Sequence, residues 1–269
     1  MRRLVAVCLA TTTLLGGCSR EGKPPQPSAT ADAGLAQRPP EQPSKLTPPM
    51  LPPPPQEPTA MDKAIQLHRE ARLTGESGNL QEALKLFQQA RELAPQWPLP
   101  LYDTALTYLM MGDTAKALEV YQQVDKMAPE GFSDTKRVIE CLRREKSGQI
   151  PKGTFRKFID AMRSRTPEEM QKRLEELTRT TPKFYPAWRE LAPYAKDVPE
   201  QLRVLEKALA LKPDIESRGE MLIYKSTLLR RAGKDEEARK LLQSIVDDPQ
   251  WLPSTISQAK EMLALKLTP

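Results

Sequence analysis

The sequence predicts an all-α fold: antiparallel helix hairpins stacked in series as a solenoid, preceded by an N-terminal leader and a disordered proline-rich linker. Three observations carry this. Leu, Ala, Glu, Lys, Arg and Gln dominate the 269 residues, and these are strong helix formers. No run alternates Val, Ile or Thr with polar residues as a half-buried strand does. Landmarks recur 34 positions apart, at Gly78 and Gly112, Ala83 and Ala117, Phe87 and Tyr121, and Pro95 and Pro129. A fixed period of that size marks repeated supersecondary units. Hydrophobic residues make up 39% of the chain, enough for a packed core.

The first element is residues 1–17. Arg2 and Arg3 are followed by the uncharged stretch Leu4–Leu15, twelve residues long, against the roughly twenty that a membrane-spanning helix needs. The segment Leu15-Gly16-Gly17-Cys18 resembles the lipobox of bacterial lipoproteins. That resemblance implies a diacylglycerol on the Cys18 thiol, cleavage just before Cys18 and, often, acylation of the new amino group. At about 0.8 kcal/mol per buried methylene, several acyl chains hold a protein firmly on a bilayer. Ser19 stands where an Asp retains many such proteins in the inner membrane, so the resemblance implies an outer-membrane lipoprotein facing the periplasm. The alternatives are the outer face of the cytoplasmic membrane, and a plain secretory leader with an incidental cysteine.

Residues 18–60 form the second element, the anchor cysteine and a linker. Of the 27 prolines, thirteen fall in 19–60, including Pro52-Pro53-Pro54-Pro55. So little apolar surface does not offset the entropy of ordering. The expectation is extended polyproline-II with flexible breaks, reaching at most about 130 Å, or roughly 40 Å as a coil. A spacer is the expected role. Docking of the proline run into an aromatic groove is the alternative.

The third element, 61–269, holds the repeats, placed at about 64–97, 98–131, 151–184, 185–215 and 219–251. In the first two, Gly78-Asn79 and Gly112-Asp113 make the turn between helices. Ala83 and Ala117 are small enough for two helices to approach closely. Phe87 and Tyr121 fill the gap to the next unit, and Pro95 and Pro129 end the second helix. This pattern resembles the tetratricopeptide repeat, whose period is 34. Residues 151–184 fit loosely, through Phe158, Ala161, Thr166-Pro167, Leu174, Leu177 and Pro182, with Met170 in place of the small residue. Residues 185–215 carry Trp188, Leu191, Leu205, Ala208 and Pro213, with a turn shortened at Asp197-Val198-Pro199. Residues 219–251 recover the pattern through Leu222, Leu229, Gly233, Ala238 and Leu242. Ser254 is expected to cap a last helix over 254–267. Residues 133–148 read as one helix with apolar Val138, Ile139 and Leu142 but no partner of repeat type. It either caps the first two repeats or bridges to the last three, with a kink or boundary near Ser147–Pro151.

Composition argues against several kinds of chemistry. Net charge is +6 for the whole chain. Losing Arg2 and Arg3 with the leader lowers Lys+Arg from 41 to 39 against 35 Asp+Glu, leaving +4. No basic run is interleaved with aromatics, so a nucleic-acid partner is not expected. With Cys8 in the leader and Cys18 as anchor, Cys141 is alone, without a disulfide framework. It reads as a small buried hydrophobe. His68, the only histidine, cannot build a metal site alone, and it reads as a groove or surface residue. Glu168-Glu169 and Glu175-Glu176 are explained by ion pairs at helical spacing. No phosphate loop, nucleophile elbow or dinucleotide fingerprint occurs. Neither catalytic residues, a metal site nor a cofactor is expected.

First helices of such repeats line the concave wall. Arg72, Tyr102, Asp103, Leu106, Arg189, Tyr224, Arg230 and Arg231 are placed there, joined by Lys136, Arg143 and Arg144 if the odd helix takes part. The set is similar to a peptide groove rich in Arg, which suits carboxylate recognition. The Asn residues of the chaperone-type carboxylate clamp are replaced by Asp103, Glu190 and Tyr224, so that activity is not carried over. The expected function is an anchored scaffold holding a protein or peptide partner. Its architecture resembles that of lipoproteins serving as pilotins or in outer-membrane assembly. An accessory or enzymatic domain acting on the cell wall, and a purely structural spacer, are the alternatives.

Overall fold

The computed structural model describes residues 57–265. The leader, Cys18 and nearly all of the linker lie outside them, as does the expected end of the last helix at Leu267. Twelve α-helices and one short 3-10 turn occur among the described residues, and no strand. They are α1 (Ala60–Glu76), α2 (Leu80–Leu93), α3 (Leu99–Met110), α4 (Thr114–Met127), α5 (Thr135–Lys146) and α6 (Thr154–Met162). There follow α7 (Pro167–Thr180), α8 (Tyr185–Leu191), the 3-10 turn Ala192–Tyr194, α9 (Val198–Ala210), α10 (Ile215–Arg231), α11 (Asp235–Val246) and α12 (Pro253–Ala264). Each helix packs on the next in chain order, the serial stacking of an α-solenoid.

The helix ends explain the hairpins. α1, α3 and α10 each finish with a glycine in the left-handed region: Gly78, Gly112 and Gly233. At each, the glycine N–H donates three residues back, and the next residue's N–H donates five back, as in Asn79 to the Thr74 carbonyl. That is the Schellman motif, which satisfies the last carbonyls of a helix and turns the chain sharply. The second helices end alike too. Ala94, Ala128 and Thr181 share φ between −138° and −134° and ψ of 70°. Each precedes a proline (Pro95, Pro129, Pro182), which disfavours helical geometry in the residue before it.

From Ala94 to Ala128 is one 34-residue period, while from Ala128 to Thr181 is 53, a period plus 19. The extra 19 residues are α5 and its connections. α5 ends on the same motif as the first helices, with Gly148 left-handed and Gln149 N–H donating to the Arg144 carbonyl. One apolar cluster joins Ala105 and Leu109 of α3 to Val138, Leu142, Ile150, Phe155, Tyr185, Met221 and Leu228. α5 also packs against α10, a contact no strictly serial stack makes. The odd helix therefore bridges from the first two hairpins to the last. Burying each large side chain there contributes about 1.5–3 kcal/mol, which a lone hairpin cannot match.

Two local expectations are corrected. Leu252, not Ser254, precedes the last helix, and no side chain caps it. Pro253 takes the first position, where its missing N–H has no helical partner to lose. At the other end, Thr59 caps α1 through a reciprocal box with Asp62, 3.1 Å and 2.9 Å, so Ala60 is already helical.

Candidate functional site

The candidate groove residues begin on α1. His68 is buried, with Nε2 at 2.8 Å from Asp103 Oδ2 on α3. Its ring lies 5.5 Å from that of Phe87 and 5.0 Å from that of Trp97. The expectation of a groove or surface histidine is therefore corrected. A carboxylate partner and two aromatic neighbours make burial of a polar ring tolerable. Asp103 has its carboxylate occupied by His68, while Arg72, 41% exposed, stands 4.0 Å away.

Next comes a half-buried polar cluster around α5. The Tyr102 hydroxyl donates to Asp134 Oδ1, and Arg137 Nη2 lies 2.6 Å from Asp134 Oδ2. Burial pushes the Tyr102 phenol up, and the Asp134 charge adds to this. Burial also works to raise the Asp134 carboxyl, but Arg137 and the Tyr102 hydroxyl outweigh it and hold the group below the usual carboxylate range. Arg189 of α8 pairs with Glu220 of α10 at 2.9 Å and with Glu190 at 3.5 Å. Glu190 and Glu220 also act on Arg137. Tyr102 and Arg189, both placed on the concave wall from the sequence, thus belong to the surroundings of α5.

The remaining groove residues are spread. Leu106 lines a small crevice with Leu109, Met110, Ile159 and Arg163, closed by Arg156, whose Nη1 donates to the carbonyls of Leu109 and Met110. Arg230 Nη2 donates to the Met262 carbonyl at 2.7 Å, joining α10 to α12. Arg231 is exposed and Tyr224 partly so. Burial raises the Tyr224 phenol, and the charge of Arg231 opposes this. Lys136 is paired with Asp125 at 2.6 Å, and Arg143 is exposed.

Cys141 is fully buried, and burial pushes its thiol well up. Of the two carboxylate pairs, Glu169 makes the expected ion pair, with Arg173 at 2.6 Å, while Glu175 instead accepts from the neutral Gln171 at 2.8 Å. No group of three His, Cys, Asp or Glu side chains is placed to hold a metal among the described residues.

Sequence reasoning missed Asp134, Arg137 and Glu216. The available signals were Gly148, which marks α5 as a first-type helix, and Asp134 just ahead of it. It also missed a cleft of about 590 Å³, lined by Trp188, Tyr194 and Val204 together with Glu175, Lys196 and Arg203.

Helices α2 to α4 carry a likeness to a known family. Residues 76–135 match the tetratricopeptide repeat family. The match ends on Thr135, the first residue of α5. No curated protein sequence matches the chain. Among solved structures, MamA from Desulfovibrio magneticus RS-1 is similar at 17% identity and a TM-score of 0.33, over 69% of this chain and 94% of that one. A thermophilic tetratricopeptide protein of Thermus thermophilus is similar at 18% identity and 0.33, over 75% and 100%. YrrB, described as a tetratricopeptide protein with an unusual peptide-binding site, is similar at 14% identity and 0.32, over 75% and 92%. Likeness at this level says nothing of a partner or process.

Proposed function

We propose that this chain is a membrane-anchored periplasmic scaffold that holds a protein or peptide partner. Acyl chains on Cys18 fix it to the outer membrane, the linker gives reach, and the tetratricopeptide hairpins hold the partner during assembly of an envelope complex, as a pilotin or an outer-membrane assembly factor does. The observation that carries the binding part is the serial stack of hairpins bearing the repeat at 76–135. Arg72, Tyr224 and Arg231 are the accessible members of the inner set. Lipidation rests on the segment Leu15-Gly16-Gly17-Cys18.

Radiolabelled palmitate tests the anchor: it enters the wild type and not Cys18→Ala, and label in the variant overturns this part. Crosslinking in intact envelopes tests the scaffold. The expected result is a defined protein adduct that Arg72→Gln/Arg231→Glu loses while its melting temperature stays unchanged. An adduct of equal yield in that variant excludes these residues, and no adduct at all overturns the scaffold reading. Arg230 is left intact because it joins α10 to α12.

A further inference from the structure

Beside the contact between α5 and α10 stands an acid with an unpaired oxygen. Glu216 lies in the first turn of α10, facing the loop that leads into α5. A β-carbon on Gly131 in that loop would stand 3.4 Å from Glu216 Oε1 and 3.4 Å from Leu252 Cδ1. Glu216 Oε2 is buried with no hydrogen-bond partner. A carboxylate oxygen in that position is costly while ionised and far less so once protonated.

Its charged surroundings are mostly acidic. Glu220 and Asp214 come from α10 itself and its cap, and Asp134 from the cap of α5, all opposing ionisation. Arg137 of α5 is the cation that favours it. That cation is bound to Asp134 through Nη2 at 2.6 Å, and Arg189 of α8 to Glu220 through Nη2, while Arg137 Nε and Arg189 Nη1 are buried without hydrogen-bond partners. Arg218, on α10, lies over the Trp251 ring at 5.1 Å. From the start of α12 the neighbour is apolar Leu252.

We propose that Glu216 is a pH-sensitive catch on the closure of α5 against α10. Protonated, it lets the two elements seat together; ionised, it loosens them. Burial first, then Glu220, Asp214 and Asp134, push its carboxyl from 4.5 up to about 7. An acid with a raised native value binds more protons folded than unfolded, so stability falls as pH rises. The fall runs from about 4.5 to about 7, and the penalty is complete above that window.

The test is hydrogen exchange of the full-length chain between about pH 5.5 and about pH 8.5, corrected for intrinsic exchange. Protection of α5 and α10 is expected to fall about tenfold or more across that range, while α1 and α2 hold steady. Glu216→Gln should keep the high protection throughout, and Glu220→Gln, which removes a charge that opposes ionisation of Glu216, should shrink the fall. A wild type without slope, the same slope in Glu216→Gln, or a slope equal in α1 and α2 overturns the proposal. If Glu216→Gln does not fold, an unchanged profile in Glu220→Gln overturns it equally.

Discussion

Arg144 Nη2 donates to the carbonyl of Lys212 at 2.6 Å, across 68 positions of sequence. Nη1 reaches the Leu211 carbonyl at 3.2 Å, Nε meets Glu140 at 2.7 Å, and the guanidinium lies 5.1 Å from the Tyr185 ring centroid. One side chain of α5 thus ties down the end of α9. Arg144→Ala should cost about 1.5–3 kcal/mol, the worth of hydrogen bonds to a charged group. Urea denaturation checks this. Arg144→Lys should recover little, because an ammonium lacks the planar fork that spans two carbonyls and stacks on a ring.

Lys212 itself sits at φ +52°, in the left-handed region. A residue with a β-carbon is strained there by about 1–2 kcal/mol, and glycine is not. Lys212→Gly should therefore stabilise the fold by about 1 kcal/mol net of the flexibility that glycine adds to the unfolded chain. The bond to Arg144 uses a backbone carbonyl and survives the change. A lower melting temperature for this variant contradicts the expectation.

Gly219 on α10 lets α12 approach. A β-carbon there would stand 2.6 Å from Thr255 Oγ1 and 2.8 Å from Thr255 Cγ2. Gly219→Ala should cost about 1–3 kcal/mol as an overpacking change. Adding Thr255→Ala removes both colliding atoms and should recover most of the loss. The double-mutant cycle measures this coupling directly.

Ala83 and Ala117 are fully buried, and Ala83 Cβ lies 3.5 Å from where a β-carbon on Gly75 would stand. Ala83→Trp or Ala117→Trp should cost about 1–3 kcal/mol or more, since the paired helices must separate. Unchanged melting temperatures in both would contradict the packing described for these hairpins.

The hairpins that match the repeat were legible because their signals are local. Gly78 and Gly112 turn the chain through bonds made within five residues, and Pro95 and Pro129 act on the residue just before them. The polar cluster was not legible. Tyr102 meets Asp134 across 32 positions, and Glu216 is near Gly131 only because α10 returns to α5. Arg230 illustrates the same limit. Its spacing suits a concave wall, but its partner is a backbone carbonyl 32 positions onward.

By itself the sequence determined the helical class, the 34-residue period, the hairpin turns and the smallness required at Ala83 and Ala117. Each follows from propensity, backbone geometry and side-chain volume over one or two turns of chain. Only the tertiary structure decided that α5 lies against α10, that His68 is buried on Asp103, and that Glu216 keeps an unpaired oxygen among acids. Those outcomes depend on which surfaces meet once the helices stack, and contacts between distant segments leave no periodic trace in the chain.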